Sequence, residues 1–153
     1  MNLPPFAPIE RVLQLTKQVA AARQVQFAVE ALRHGDYDVA ITLAGAAENM
    51  VDGDPDIEIT SKILASQAGA DVPPDYKWSE IVNLERNWLK HKTDLPKMPK
   101  ELTLTVKEAS HYVYRAMRKL PLELLTPEMY SMETWYRLRI AEEIAKRSPS
   151  ADN

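Results

Sequence analysis

The feature that most constrains this chain is an apolar stripe at three-to-four residue spacing that begins just after Pro8 and stops at His34-Gly35-Asp36. Val12, Leu15, Val19, Ala22, Val25 or Gln26, Val29 and Leu32 would share one face of a helix. A proline at the entrance suits a first helical position and a glycine at the exit suits a left-handed cap, so the pattern predicts a long first helix over 8–34. After a short turn, Asp36 or Asp38 can cap a second helix carrying Val39, Ala40, Leu43, Ala44, Ala46, Ala47 and Met50. Its small residues admit a close neighbour, so helices one and two are expected as an antiparallel pair.

Beyond them the punctuation is clear. Asp52-Gly53-Asp54-Pro55-Asp56 breaks the pattern, and residues 51–76 read as an insertion holding a short helix between Ile57 and Ala68. A third long helix is expected from Ser79 to Lys92, turning Ile81, Leu84, Trp88 and Leu89 inward, followed by a stiff linker from Lys92 to Pro99. Thr105 can cap a fourth helix through Lys119, built on Val106, Ala109, Val113, Ala116, Met117 and Leu120. Thr126 and Pro127 open a fifth that runs to Lys146. No stretch alternates as a strand would. The expected fold is therefore all-α, an up-and-down bundle of four to five helices. With 153 residues, 45% of them hydrophobic, one domain over 1–147 can bury one core, leaving 148–153 as a disordered tail.

Composition excludes several classes of function. The chain has no cysteine, which removes disulfides, thiolate zinc sites and cysteine nucleophiles. His-Glu-x-x-His, a glycine-rich phosphate loop and Gly-x-Ser-x-Gly are all missing, so no metal or cofactor is expected. The first residues lack a signal peptide's basic and apolar regions, and no apolar run approaches a membrane span, which makes the cytoplasm the expected setting. A net charge of −3 argues against broad attraction to nucleic acid. Any such contact must be local, and residues 86–100 hold Arg86, Lys90, Lys92, Lys97 and Lys100 against one acid, Asp94.

The chemistry concentrates in Glu85-Arg86-Asn87-Trp88-Leu89-Lys90-His91. A guanidinium that clamps an anion and an imidazole that exchanges a proton near neutral pH suffice in principle for phosphodiester chemistry without a metal. Each residue also has a plainer role. His91 can be a helix-end cation, Arg86 can pair with Glu48, Glu80 or Glu85, and Trp78, Trp88 and Trp135 suit a core or interface better than base stacking. His111 is expected on a helix surface and His34 at a helix end.

Two stretches carry a family resemblance. Gly35-Asp36-Tyr37-Asp38-Val39-Ala40-Ile41-Thr42-Leu43-Ala44-Gly45-Ala46-Ala47-Glu48 resembles the turn into the second helix of the HEPN family of small helical bundles. Arg86-Asn87-Trp88-Leu89-Lys90-His91 is similar to that family's signature of Arg, a polar residue and then His four to six positions on. The resemblance covers about the first two-thirds of the chain and is only topological after residue 100. It implies a homodimer in which Arg and His from two protomers meet in a cleft and cut RNA without a metal. Arg86 and His91 would be catalytic, with Asn87, Lys90 and Lys92 binding substrate. It equally implies a non-catalytic alternative, a homodimer that binds a nucleotide, an RNA or an antitoxin-like protein partner. Where one subset of the family carries a tyrosine modified by a nucleotidyltransferase, this chain has Thr93.

Helix geometry adds a condition. At roughly 100° per residue, Arg86 and His91 lie about 140° apart, whereas Asn87 and His91 share a face. Either the helix loosens near Lys90 or two chains supply the pair.

Overall fold

A computed structural model describes residues 2–66, 69–70, 72, 75–91 and 98–148. Among them are seven α-helices and no strand, the all-α fold expected. The helices are α1 (Lys17–His34), α2 (Tyr37–Glu48), α3 (Thr60–Leu64), α4 (Trp78–Val82), α5 (Leu84–Lys90), α6 (Val106–Met117) and α7 (Pro127–Arg147), with a 3-10 turn at Leu122–Leu124 between the last two. The predicted linker from Lys92 lies mostly outside the described residues, as does the tail after Ser148.

Helix α1 starts nine residues later than the stripe predicts. Thr16 is its N-cap, extended and accepting from the Val19 amide at 3.1 Å. Residues 2–16 carry no helix, and Val12 and Leu15 meet solvent, because nothing packs against them to stabilise helical turns there. The exit falls where expected. Gly35, at φ 82°, turns its amide to the carbonyls of Ala31 and Leu32, a conformation that a side chain would strain.

Helix α2 returns along α1 and packs on α6, which also touches α1; α7 crosses both α1 and α6. The core is Ala21, Val25, Ala28, Val29, Ala31 and Leu32 of α1, Ala40, Ile41, Ala44 and Ala47 of α2, Ala109, Tyr112, Val113, Ala116 and Met117 of α6, then Leu120 and Met129, Met132 and Tyr136 of α7. Alanines dominate where α1, α2 and α6 meet, and short side chains are what let three helices come together closely. Two expected core positions, Val39 and Ala46, face outward instead.

Helices α6 and α7 begin at Thr105 and Thr126, the residues that the sequence marks. Thr105 accepts from Lys107, and Glu108 reaches back to the Thr105 amide at 2.8 Å, which completes a capping box. Thr126 accepts from Met129 at 3.3 Å with Pro127 at the first position.

The expected third helix is two helices. Asn83, at φ −116° and ψ 22°, leaves the helical path, and its side-chain amide donates back to the Ser79 carbonyl at 2.9 Å. This break turns Ile81 toward solvent and leaves Leu89 as the contact with the core. Among its described residues the insertion over 51–76 holds one α-helix, the five-residue α3, yet it is anchored: Glu58 and Thr60 are buried, and the Trp78 indole donates to the Ile63 carbonyl at 2.8 Å.

Candidate functional site

Helix α5 rests on α2, and Gly45 is the reason that it can. A Cβ placed on Gly45 would lie 2.5 Å from Cδ and 2.8 Å from Cγ of Arg86, so the arginine stem occupies the space that a side chain would need. Arg86 is half-buried, and its Nε is buried without a hydrogen-bond partner. None of the three carboxylates expected to neutralise it does so. Glu48 pairs with Arg115, Glu85 accepts from the Tyr112 hydroxyl at 2.8 Å, and Glu80 accepts from the Lys77 amide at 3.1 Å. Among the described residues Arg86 has no ion-pair partner.

His91 closes α5. Its amide still bonds the Asn87 carbonyl at 3.1 Å, while its own backbone is already extended at φ −105° and ψ 134°. The helix therefore ends at Lys90, not Lys92, and the condition set by the helical wheel remains. Arg86 lies against α2, whereas His91 and Lys90 are exposed and Asn87 is half-buried. Lys92 and Thr93 lie outside the described residues. One chain thus offers a guanidinium with no ion-pair partner among the described residues and, at the end of the same short helix, an exposed imidazole.

Beneath α5 lies a polar cluster that the sequence reading missed. Arg115, on α6, is fully buried and donates to Glu48 Oε1 at 2.8 Å, to Asn83 Oδ1 at 2.8 Å and to the Val82 carbonyl at 3.0 Å. Its guanidinium also lies 5.1 Å from the centre of the Tyr112 ring. Glu48 accepts from Thr60 at 2.9 Å, and the Tyr112 hydroxyl donates its one proton to Glu85 at 2.8 Å, with the Val82 carbonyl also in reach at 3.2 Å. Burial first, then the neighbouring Glu85 carboxylate, pushes the Tyr112 phenol well above its ordinary range. The cluster therefore fixes the α4–α5 junction, and with it the root of Arg86, to α2 and α6. A signal for it existed: Glu48 and Arg115 both fall on apolar helix faces, at spacing three or four from Gly45 and Tyr112.

His111 is a further correction. It is half-buried, with Nδ1 3.0 Å from the Tyr136 hydroxyl, and burial, aided by the Arg115 charge, pushes its pKa down to about 4. The Trp88 indole donates to the Pro99 carbonyl at 2.8 Å, a structural use, and Trp135 is partly exposed with Arg139 stacked on it.

Among the described residues no group of three or more His, Asp or Glu is placed to hold a metal ion, and no helix is long and apolar enough to cross a membrane. Compared with known proteins, the chain matches no family profile, no curated protein and no solved structure.

Proposed function

We propose that the chain is a HEPN-like RNA-handling protein that works as a homodimer, with Arg86 of one copy and His91 of the other forming a metal-independent endoribonuclease site. The observation that carries this reading is the state of Arg86: its stem is fixed over Gly45 and its charge is matched by no described carboxylate. Neutralising partners are what a purely structural arginine would have. A guanidinium with none among the described residues, and with Lys90 and His91 following it on the same helix, suits the binding of a phosphate.

The chemistry follows from the parts. The 2'-hydroxyl of the RNA attacks the adjacent phosphorus, giving up its proton to a base, and negative charge builds on the phosphorane oxygens. Arg86 stabilises that charge most in the transition state, and Asn87, Lys90 and Lys92 hold the flanking backbone. The bond to the 5'-oxygen then breaks as that oxygen takes a proton, with His91 serving as a proton-transfer group. The products carry a 2',3'-cyclic phosphate and a 5'-hydroxyl. The cytoplasm is the expected setting.

A second reading rests on a separate observation. Within one chain Arg86 is half-buried against α2 while His91 is exposed at the helix end, and the net charge is −3, which suits a binding module for a nucleotide, an RNA or an antitoxin-like partner without turnover. One experiment separates the two. Wild type, Arg86→Ala and His91→Ala are incubated with single-stranded RNA and a chelator, singly and as a mixture of the two variants. Cleavage by wild type, loss in each variant and recovery on mixing support the shared site. Wild-type-like cutting by His91→Ala removes His91 from the mechanism, and RNA binding without cleavage by any protein favours the module.

A further inference from the structure

The segment before α1 is as informative as the helices. Residues 2–16 form no helix, turn or bend, and Leu3, Phe6, Ile9 and Val12 are 79%, 93%, 90% and 88% exposed. Their spacing is three throughout. Polyproline II has three residues per turn, and Pro4, Pro5 and Pro8 favour it, so these four side chains line one edge of an arm spanning about 28 Å. No described residue of its own chain covers that edge.

A groove of matching character is open elsewhere. Between the C-terminal end of α1, the start of α6 and α7 lies a cavity of about 440 Å³ whose lining includes Val29, Leu32, Val106, Met132 and Trp135. Arg33 and Glu128 stand among its lining residues, a cation and an anion opposite in sign to the Glu10 and Arg11 that follow Ile9 on the arm.

We propose that residues 3–12 of one copy seat in this groove of a second copy, each arm crossing to the other in a two-fold exchange. The path of the chain selects the partner's groove. The arm is rooted at Lys17, and the groove begins about 18 Å farther along α1, at Val29. To reach its own groove with Val12 still on it, the chain must reverse within Leu13-Gln14-Leu15, which holds no glycine, proline, asparagine or aspartate to form the turn. In the structure residues 12–16 make no turn or bend, and the Thr16 cap itself is extended at φ −79° and ψ 162°. A second copy receives the arm without any reversal, and symmetry covers both arms at once. The inference supplies the second copy that a shared Arg86–His91 site requires, but it does not rest on that chemistry: a dimer that cuts no RNA leaves it standing.

The test uses the full chain and has two parts. By light scattering after size exclusion, wild type should run at twice its 17.4 kDa at micromolar concentration, and Phe6→Asp/Ile9→Asp should run as a monomer with unchanged circular dichroism, since neither side chain takes part in the fold. A wild type that stays monomeric, or a double variant that stays dimeric, overturns the proposal. The chain has no cysteine of its own, so Ala7→Cys and Ser131→Cys, made in separately tagged copies, mixed and treated with a short thiol cross-linker, should yield a covalent pair of unlike chains. Putting both cysteines in one chain and recovering only an internally linked monomer would show the arm in its own groove and also overturn it.

Discussion

Replacing Arg115 with methionine should damage this protein more than any surface change, and the structure allows the loss to be sized. Methionine fills much of the same space, so the cavity contribution is small. The electrostatic loss is not: Glu48, 3% exposed, would keep only the Thr60 hydroxyl on its carboxylate, and Asn83 Oδ1 would lose its partner. Breaking a buried ion pair by removing one member costs about 3–5 kcal/mol, and the stranded amide oxygen adds about 1 kcal/mol more. For a chain of this length each kcal/mol moves the thermal midpoint by about 2–4 °C, so a fall of roughly 10–20 °C is expected. Circular dichroism melts at pH 7 measure it. The companion Glu48→Leu/Arg115→Met removes both charges and should recover most of the loss, because the penalty comes from the unpaired carboxylate and not from the absence of a favourable bond. A single variant that melts within 2 °C of wild type would refute the reasoning.

Other consequences are equally direct. Gly45→Ala gains about 1 kcal/mol of helix propensity but places a methyl 2.5 Å from Arg86 Cδ, so overall stability should stay within about 1 kcal/mol while Arg86 is displaced; RNA affinity measured by filter binding should fall with little change in melting. His111 bears on pH dependence. Its pKa, pushed down to about 4, lies below the ordinary 6.5, so the unfolded chain binds the extra proton first; stability is full above about pH 6.5 and declines by up to about 3 kcal/mol as pH falls toward 4. Urea titrations across that range should show the slope, and His111→Gln should flatten it; an unchanged slope would place the acid sensitivity elsewhere. Gly35→Ala meets no steric neighbour, so its cost should be the backbone strain at φ 82° alone, about 1 kcal/mol by chemical denaturation.

The fold was legible wherever a cap or a breaker fixed an element locally. Thr105, Thr126-Pro127 and Gly35 each mark a helix end that needs no knowledge of the rest of the chain. What failed was whatever depended on distant partners. A spacing of three suits a helix face and an extended proline-rich edge alike, so the stripe through Val12 and Leu15 overran the true start at Lys17. The split at Asn83 could not be read from residues 79–92, because the guanidinium that its side chain meets comes from α6. The site was legible in part: Arg86, Asn87, Lys90 and His91 stand out as a group, but the sequence leaves Glu48, Glu80 and Glu85 open as partners for Arg86, and only the packing gives Glu48 to Arg115. His111 looked like a surface residue for the same reason, since its cover is Tyr136 on another helix.

The junction at Asn83 has one more implication. Hydrogen bonds are strict about direction where apolar contacts are strict mainly about volume, so a seam made of an amide, a guanidinium and a carboxylate fixes the orientation of the helices it joins as well as their distance. Arg86 shares that constraint: it sits three residues beyond Asn83 with its stem over Gly45, so a change that breaks the Asn83–Arg115 bond also disturbs the footing of Arg86.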